Sequence, residues 1–171
     1  EPVLTALQNR VSHGIFGYPM EVPALKEVIV DRMAELYAWQ IMPEDVMFLP
    51  GVVVAVNLTL HALSQPGDGA LIQTPVYPPF FGAPLNAKMK LQEMELTLGE
   101  SGGYEIDFQA FEESITGDTR VFILCNPHNP IGRVFRRDEL EKMAEICLRH
   151  DVVICSDEIH CDLLFKGVRH I

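Results

Sequence analysis

The sequence has few basic residues and no long apolar run, and both absences argue against certain partners. Its 171 residues include 13 Lys and Arg against 24 Asp and Glu, a formal net charge of −11. Binding to nucleic acid or to an anionic membrane requires clustered cations that contact phosphate groups, so we predict neither partner. No stretch reaches the roughly 18 consecutive apolar residues that a membrane span requires.

Cysteine is also scarce, and the common nucleotide-binding motifs are missing. The four cysteines (Cys125, Cys147, Cys155 and Cys161) form no Cys-x-x-Cys pair. Three of them lie in apolar strand or helix sequence, which predicts buried, reduced thiols rather than a zinc site and favours a cytoplasmic protein. The chain contains neither a Walker A sequence nor Gly-x-Gly-x-x-Gly, so it gives little support for ATP or dinucleotide binding.

The chain does have a regular alternation of predicted strands and helices. Predicted helices cover residues 2–13, a segment that begins near 23, and residues 52–63, 107–115 and 138–150; predicted strands cover 46–49, 70–73, 88–95, 121–125 and 152–155. Such alternation is typical of a mostly parallel sheet with helices on both faces. We therefore predict an α/β fold in the form of a three-layer sandwich.

Polar or flexible residues follow four of the predicted strands, where open α/β sheets bind ligands. The first such position is Pro50-Gly51-Val52-Val53, which leads directly into a helix. Glycine allows close approach to the backbone, and the free N–H groups of a helix start attract a phosphate dianion. An ordinary turn explains the same residues.

The second and third positions carry an aromatic ring and an amide. Tyr77 lies between prolines that stiffen its loop, so its ring can stack on a flat ligand. Asn129 is flanked by Pro127 and Pro130, and its amide can donate a hydrogen bond to a phenolate oxygen. The alternatives are a packed tyrosine and an Asn-Pro turn.

The fourth position, Asp157, follows an apolar strand and suggests a cationic ligand. A carboxylate buried without a partner is costly, and the N–H of a pyridinium ring would supply the partner. A helix cap or turn is the alternative. Taken together, a phosphate anchor, a ring stack, an amide donor and a carboxylate predict one cofactor, pyridoxal 5′-phosphate (PLP).

The motifs around these positions resemble one enzyme family. They are His13-Gly14-Ile15-Phe16-Gly17-Tyr18, Thr74-Pro75-Val76-Tyr77, Pro127-His128-Asn129-Pro130-Ile131-Gly132-Arg133-Val134 and Ser156-Asp157-Glu158-Ile159-His160. Over nearly the whole chain, the sequence resembles the fold-type-I PLP enzymes of the class I/II aminotransferase superfamily. Within that superfamily it looks most like the MalY/PatB cystathionine β-lyases, also called C–S lyases.

The resemblance implies a role for each candidate site residue. Asn129 would bond the O3′ oxygen of PLP, Asp157 its ring nitrogen, and Tyr77 would stack on the ring. The phosphate would lie on backbone amides around Gly51, Val52 and Val53, and Tyr18 would reach the phosphate of a partner subunit, which implies a homodimer. His160 stands where many aminotransferases have Tyr, so either a hydrogen bond to O3′ or a packing role fits it.

The resemblance also implies parts that this chain lacks. The Schiff-base lysine of the family lies in a Ser-x-x-Lys or Ser-Lys segment some tens of residues after the aspartate. None of the five lysines (Lys26, Lys88, Lys90, Lys142 and Lys166) has that context. We therefore expect residues 1–171 to be the central part of the PLP-binding large domain, without the N-terminal arm, the catalytic lysine and the C-terminal small domain, and hence with no catalytic residue of their own.

The expected activity of the parent protein is that of a PLP-dependent carbon–sulfur β-lyase. Its small amino acid substrate would be cystathionine or cysteine, and its products a thiol, pyruvate and ammonia. An aminotransferase of the same fold is one alternative. A non-catalytic, aminotransferase-like regulatory domain is another.

Overall fold

The computed structural model describes residues 1–18, 20–99 and 102–171 of the chain. These residues form two compact units, 1–48 and 49–171, which are treated separately below. No helix within the described ranges is long and apolar enough to cross a membrane.

The 1–48 unit consists of two helices and a short turn. Helix α1 spans Pro2–His13 and ends at Gly14, whose φ of 71° lies in the left-handed region that glycine favours. Helix α2 spans Pro23–Tyr37, with proline in its first turn as predicted, and a 3₁₀ turn spans Pro43–Asp45. No described residue of this unit is buried.

The predicted strand at residues 46–49 was wrong, because all four residues are described and none is in a strand. The N–H of Val46 donates to the carbonyl of Pro43 at 3.2 Å, which ties the segment to the preceding 3₁₀ turn. A short apolar run that includes Val46 and Phe48 has strand propensity, but a strand exists only where a neighbouring strand pairs with it.

The 49–171 unit contains four helices and six strands among the described residues. In chain order they are α3 Val52–Leu63, β1 Gly69–Thr74, α4 Pro79–Asn86, β2 Lys90–Glu95, β3 Thr97–Leu98, β4 Tyr104–Glu105, α5 Phe108–Glu113, β5 Thr119–Cys125, α6 Arg137–Arg149 and β6 Val153–Asp157. Helix α4 was not predicted; it contains Pro79 and Pro84 and follows Pro78. Pro78 and Pro79 lie at the N-cap and the first helical position, where proline is tolerated.

Four of the strands form a parallel sheet in the order β2-β1-β5-β6, and β3 and β4 form a two-stranded antiparallel ladder. In the parallel sheet Ile72 pairs with Ile123, and Cys125 pairs with Asp157. Parallel pairing brings the carboxyl ends of all four strands to one edge. The prediction of a mostly parallel sheet is confirmed.

Helices cover both faces of this sheet, which confirms the three-layer sandwich. Side chains alternate along each strand, so Leu71 and Phe122 pack against residues of α5 and α6. Ala70, Ile72 and Ile123 pack on the opposite face against residues of α3 and α4. The two buried clusters hold the sheet rigid below its carboxyl edge, where the candidate site lies.

Candidate functional site

A cavity of about 320 Å³ lies at the carboxyl edge of the sheet, within the 49–171 unit. Its lining residues are Val52, Val53, Tyr77, Cys125, Asn129, Asp157, Ile159 and His160. The volume is at the lower end of the range for ligand pockets, about 300–1,000 Å³. Strand β1 connects through α4 to β2 on one side, and β5 through α6 to β6 on the other, so the cavity lies at the topological switch point between β1 and β5.

The start of helix α3 forms one end of the cavity. Gly51 precedes the helix with φ 128°, no side chain caps the free N–H groups, and the first turn carries no acidic residue. A Cβ at Gly51 would meet nothing within 4 Å, but residues with a side chain rarely adopt this backbone conformation, so a substitution there would be strained. A twelve-residue helix that begins uncapped beside a cavity is suited to an anion.

Tyr77 forms a wall of the cavity from the loop after β1. Its side chain is 38% exposed, and its ring packs edge-on against Phe80 with the centroids 6.1 Å apart. The Tyr77 carbonyl also accepts a hydrogen bond from the Phe80 N–H at 3.0 Å. These contacts fix one edge of the ring and leave a face for stacking against a flat ligand.

Asn129 comes to the cavity on the loop after β5. This loop is closed by two hydrogen bonds, from His128 N to Arg133 O at 2.7 Å and from Gly132 N to His128 O at 2.8 Å. The Asn129 N–H donates to Cys125 Sγ at 3.5 Å, while the structure gives its side-chain amide no partner among the described residues. The amide is therefore available to a ligand.

Asp157 ends strand β6 at the base of the cavity. Asp157 is 7% exposed, and its Oδ1 accepts a hydrogen bond from the N–H of Ile159 at 3.0 Å. No ion pair to this carboxylate is found within the described part of the chain. A buried carboxylate with one neutral donor keeps acceptor capacity for a cationic N–H.

Sequence reasoning did not assign two further residues to the site. Cys125 lines the cavity beside Asp157, its pairing partner, and burial raises the pKa of its thiol, an effect that the Asp157 charge increases. Asn126 is 1% exposed: its Oδ1 accepts the N–H of Phe135 at 3.0 Å, and its N–H donates to the Asp157 carbonyl at 3.0 Å. An Asn directly after an apolar strand could have indicated such a loop anchor.

The remaining predicted residues, His160, Tyr18 and Gly51, do not share one location. His160 lines the cavity and is partly buried. Tyr18 belongs to the 1–48 unit, and its side chain is 97% exposed. Gly51 is next to the lining residues Val52 and Val53, but it does not follow a strand, so the reasoning that led to it was wrong in that step.

The cysteines are all free. Cys125 and Cys147 are buried, as predicted, whereas Cys155 and Cys161 are partly exposed. Burial raises the pKa of Cys147 to about 11. The described residues contain no group of three or more His, Cys, Asp and Glu side chains that could hold a metal ion.

The cavity fits the cofactor that the sequence predicts. An uncapped helix start suits a phosphate dianion, an aromatic face suits a flat ring, and a buried carboxylate with spare acceptor capacity suits a protonated ring nitrogen. A phosphorylated pyridine has all three features.

Comparison with known proteins gives an independent result. Residues 3–170 match the model of the family described as aminotransferase class I and II. The chain is 39% identical over 171 residues to cystathionine beta-lyase PatB of Bacillus subtilis, and 30% identical over 171 residues to Protein MalY of Escherichia coli. Each alignment covers 99% of the chain and 44% of the relative.

A solved structure agrees with both relatives. The crystal structure of a PLP-bound putative aminotransferase from Clostridium difficile 630 superposes with a TM-score of 0.90 at 40% identity, covering 99% of this chain and 43% of that one. The chain thus spans somewhat less than half the length of the proteins that it matches.

Proposed function

The chain belongs to the aminotransferase class I and II family, and on that premise we propose that it forms the PLP-binding part of a carbon–sulfur β-lyase. The whole protein would release a thiol, pyruvate and ammonia from cystathionine or cysteine. The observation that carries this proposal is the convergence of a helix start, Tyr77, Asn129 and Asp157 on one cavity. The similarity to PatB supports the lyase activity in particular.

Helix α3 would hold the phosphate group of the cofactor. The amides at Gly51, Val52 and Val53 have no side-chain cap, and the helix dipole favours a dianion at this end. Because the first turn has no acidic residue, nothing on the helix opposes the charge.

Asp157 would keep a proton on the pyridine nitrogen. When bound, the cofactor supplies an electron sink that stabilises negative charge at the substrate Cα. The sink is strongest when the ring nitrogen is protonated, and a carboxylate in a buried position raises the affinity of that nitrogen for its proton. Asp157 thus acts on the reaction through the charge of the ring.

Asn129 and Tyr77 would orient the ring. The free amide of Asn129 donates to the phenolate oxygen O3′, and the Tyr77 face excludes water from one side of the ring. His160 is near enough to line the same cavity, so a hydrogen bond from its ring to O3′ is part of the proposal.

The whole protein would supply what these residues lack. The lysine that handles the substrate proton would come from a Ser-x-x-Lys or Ser-Lys segment, which the 171 residues do not contain. We further propose a cytoplasmic homodimer in which Tyr18 reaches the phosphate held by the partner subunit. Its 97% exposure is consistent with a contact outside its own chain.

Cofactor binding can be tested on this chain directly. Pyridoxamine 5′-phosphate carries the same ring and phosphate but an amine in place of the aldehyde, so its binding needs no lysine. We expect saturable binding, followed by ligand fluorescence, with competition by inorganic phosphate at higher concentration. Absence of binding at millimolar ligand would contradict the assigned cavity.

The reaction is tested on the whole protein. With cystathionine as substrate, we expect pyruvate to form without any added keto acid. Amino transfer that depends on a keto acid, without pyruvate, would instead establish an aminotransferase, the second candidate that the Clostridium difficile structure favours. Cofactor binding with neither activity would favour a regulatory domain.

A further inference from the structure

His128 is a buried residue of the Asn129 loop for which the proposed function assigns no role. Its side chain is 1% exposed, and Nε2 lies 2.8 Å from the carbonyl oxygen of Pro75, 53 residues earlier in the chain. A carbonyl only accepts, so Nε2 carries the hydrogen and donates it. This bond joins the loop after β5 to the loop after β1.

The His128 ring also packs against a second aromatic ring, and the backbone of the residue is fixed within its loop. It packs edge-on against Phe135 with ring centroids 5.7 Å apart and an interplanar angle of 78°. Its backbone N–H donates to Arg133 O, and its carbonyl accepts from Gly132 N. The ring therefore has little freedom to leave the Pro75 carbonyl.

The bond lies where the sheet opens. Pairing between β1 and β5 ends at Ile72 and Ile123, although both strands continue for two more residues. Beyond that pair each strand follows its other neighbour, as expected at a topological switch point. The two strand-exit loops are thus separated by a gap in the main-chain ladder, and the His128 side chain crosses it.

Each end of this link is within two residues of a residue that lines the cavity. Pro75 precedes Tyr77 by two positions, and His128 immediately precedes Asn129. We propose that His128 is a positioning residue: its bond to Pro75 fixes the separation of the Tyr77 ring from the Asn129 amide, and so preforms the slot for the pyridine ring. This inference rests on the proposed function, because it assumes that the slot binds a phosphorylated pyridine.

The test separates ring binding from phosphate binding. Two variants are compared with the wild-type chain: His128→Phe keeps a ring against Phe135 but cannot donate, and His128→Gln places an amide nitrogen at the position of Nε2. We expect His128→Phe to weaken pyridoxamine 5′-phosphate binding by about three- to tenfold, the range for one lost hydrogen bond. Inorganic phosphate, which does not occupy the slot for the pyridine ring, should bind within about twofold of wild type.

Rescue and control variants complete the design. His128→Gln should restore most of the ring affinity, and His61→Phe, the same change at an exposed histidine of α3, should alter neither affinity. Equal losses in the Phe and Gln variants, parallel losses of phosphate binding, or unchanged ring affinity in His128→Phe would each overturn the proposal.

A measurement on the wild-type chain keeps the inference testable if His128→Phe fails to fold. Ring ¹⁵N spectra should show His128 as the Nε2–H tautomer, with slow exchange of that hydrogen with solvent. An Nδ1–H tautomer or fast exchange would refute the link. If wild type binds phosphate but no pyridoxamine 5′-phosphate, the proposed function fails, while the tautomer result still decides whether the link exists.

Discussion

At the scale of single residues, Asp157 is buried and still has unused capacity to accept hydrogen bonds. We expect Asp157→Asn to weaken pyridoxamine 5′-phosphate binding about 10- to 100-fold, since a charge-assisted hydrogen bond contributes about 1.5–3 kcal/mol. The amide oxygen of Asn can still accept from Ile159 N, so thermal stability should hold or rise as a buried charge is removed.

The matched control for this substitution is Asp151→Asn. Asp151 is exposed and has a φ of 55°, a conformation that Asn tolerates well. It should leave both affinity and melting temperature unchanged. Unaltered affinity in Asp157→Asn, measured by ligand fluorescence, would remove Asp157 from the site.

His128 should make stability depend on pH. Burial lowers the pKa of His128 below its ordinary value of 6.5, the Arg133 charge acts in the same direction, and the Pro75 hydrogen bond partly opposes both. The unfolded chain therefore takes up a proton at a pH where the folded chain does not. The His128 contribution is complete above about pH 6.5 and declines as the pH falls, by at most about 1.4 kcal/mol per pH unit.

Urea unfolding of wild type and His128→Gln at about pH 7.5 and about pH 5.5 measures this contribution. The free energy of unfolding should fall more for wild type than for the variant, which has no group that titrates at this position. An equal fall in the two proteins would mean that other groups account for the acid sensitivity.

Sequence reasoning located cavity-lining residues where the local sequence around a residue carries the signal. Tyr77 between prolines, Asn129 in its loop and Asp157 after an apolar run were all named from sequence, and all line the cavity. Cys125 was predicted only as a buried thiol and His128 only as part of a motif, because their places at the site depend on contacts across the sheet. The hydrogen-bond partner of His128, Pro75, is 53 residues away in the sequence, so no local pattern around His128 indicates the bond.

At the scale of secondary-structure elements, α3 shows that a wrong strand prediction can still point to the candidate anion-binding position. Residues 46–49 are not a strand, yet the anion-binding argument depends only on how the helix begins. Val53→Asp would add a negative charge to the first turn. We expect phosphate and pyridoxamine 5′-phosphate affinities to fall about fivefold or more, while the helix dipole keeps the melting temperature equal or slightly higher.

Val53→Asn is the neutral control of similar shape for this substitution. Val53 is 39% exposed, so either polar side chain can be accommodated. The difference between the two variants should shrink with added salt, as expected for a charge effect. Equal affinities in both, measured by titration at low salt, would separate the start of α3 from anion binding.

The start of α6 anchors the far side of the Asn129 loop. Glu139 is 4% exposed, bonds the guanidinium of Arg133, and caps the helix by accepting Arg136 N at 2.8 Å. Glu139→Ala leaves Arg133 without its acid partner, so we expect a loss of about 3–5 kcal/mol in urea unfolding. Glu141→Ala, at an exposed position of the same helix, should change little. A small effect at Glu139 would mean that the loop relaxes to solvate the arginine.

At the scale of the whole molecule, alternation of strands and helices predicted the layers but not the strand order. Parallel pairing with helices on both faces follows from that alternation alone. The order β2-β1-β5-β6 depends on which strands find each other, and the cavity exists because the two central strands diverge. Sequence therefore indicated which edge of the sheet carries the site, but not which pair of strands forms it.

The division into two units leads to a final prediction. Both buried clusters and every cavity-lining residue belong to 49–171, whereas no described residue of 1–48 is buried. We therefore expect the segment 49–171 to unfold cooperatively, with a free energy close to that of the full chain. In the full chain, fluorescence of Trp39, which lies in the 1–48 unit and is 60% exposed, should change at lower urea than the far-ultraviolet circular dichroism. If the two transitions coincide and the isolated 49–171 segment is unfolded, residues 1–48 belong to the same cooperative unit as the core and are required for it.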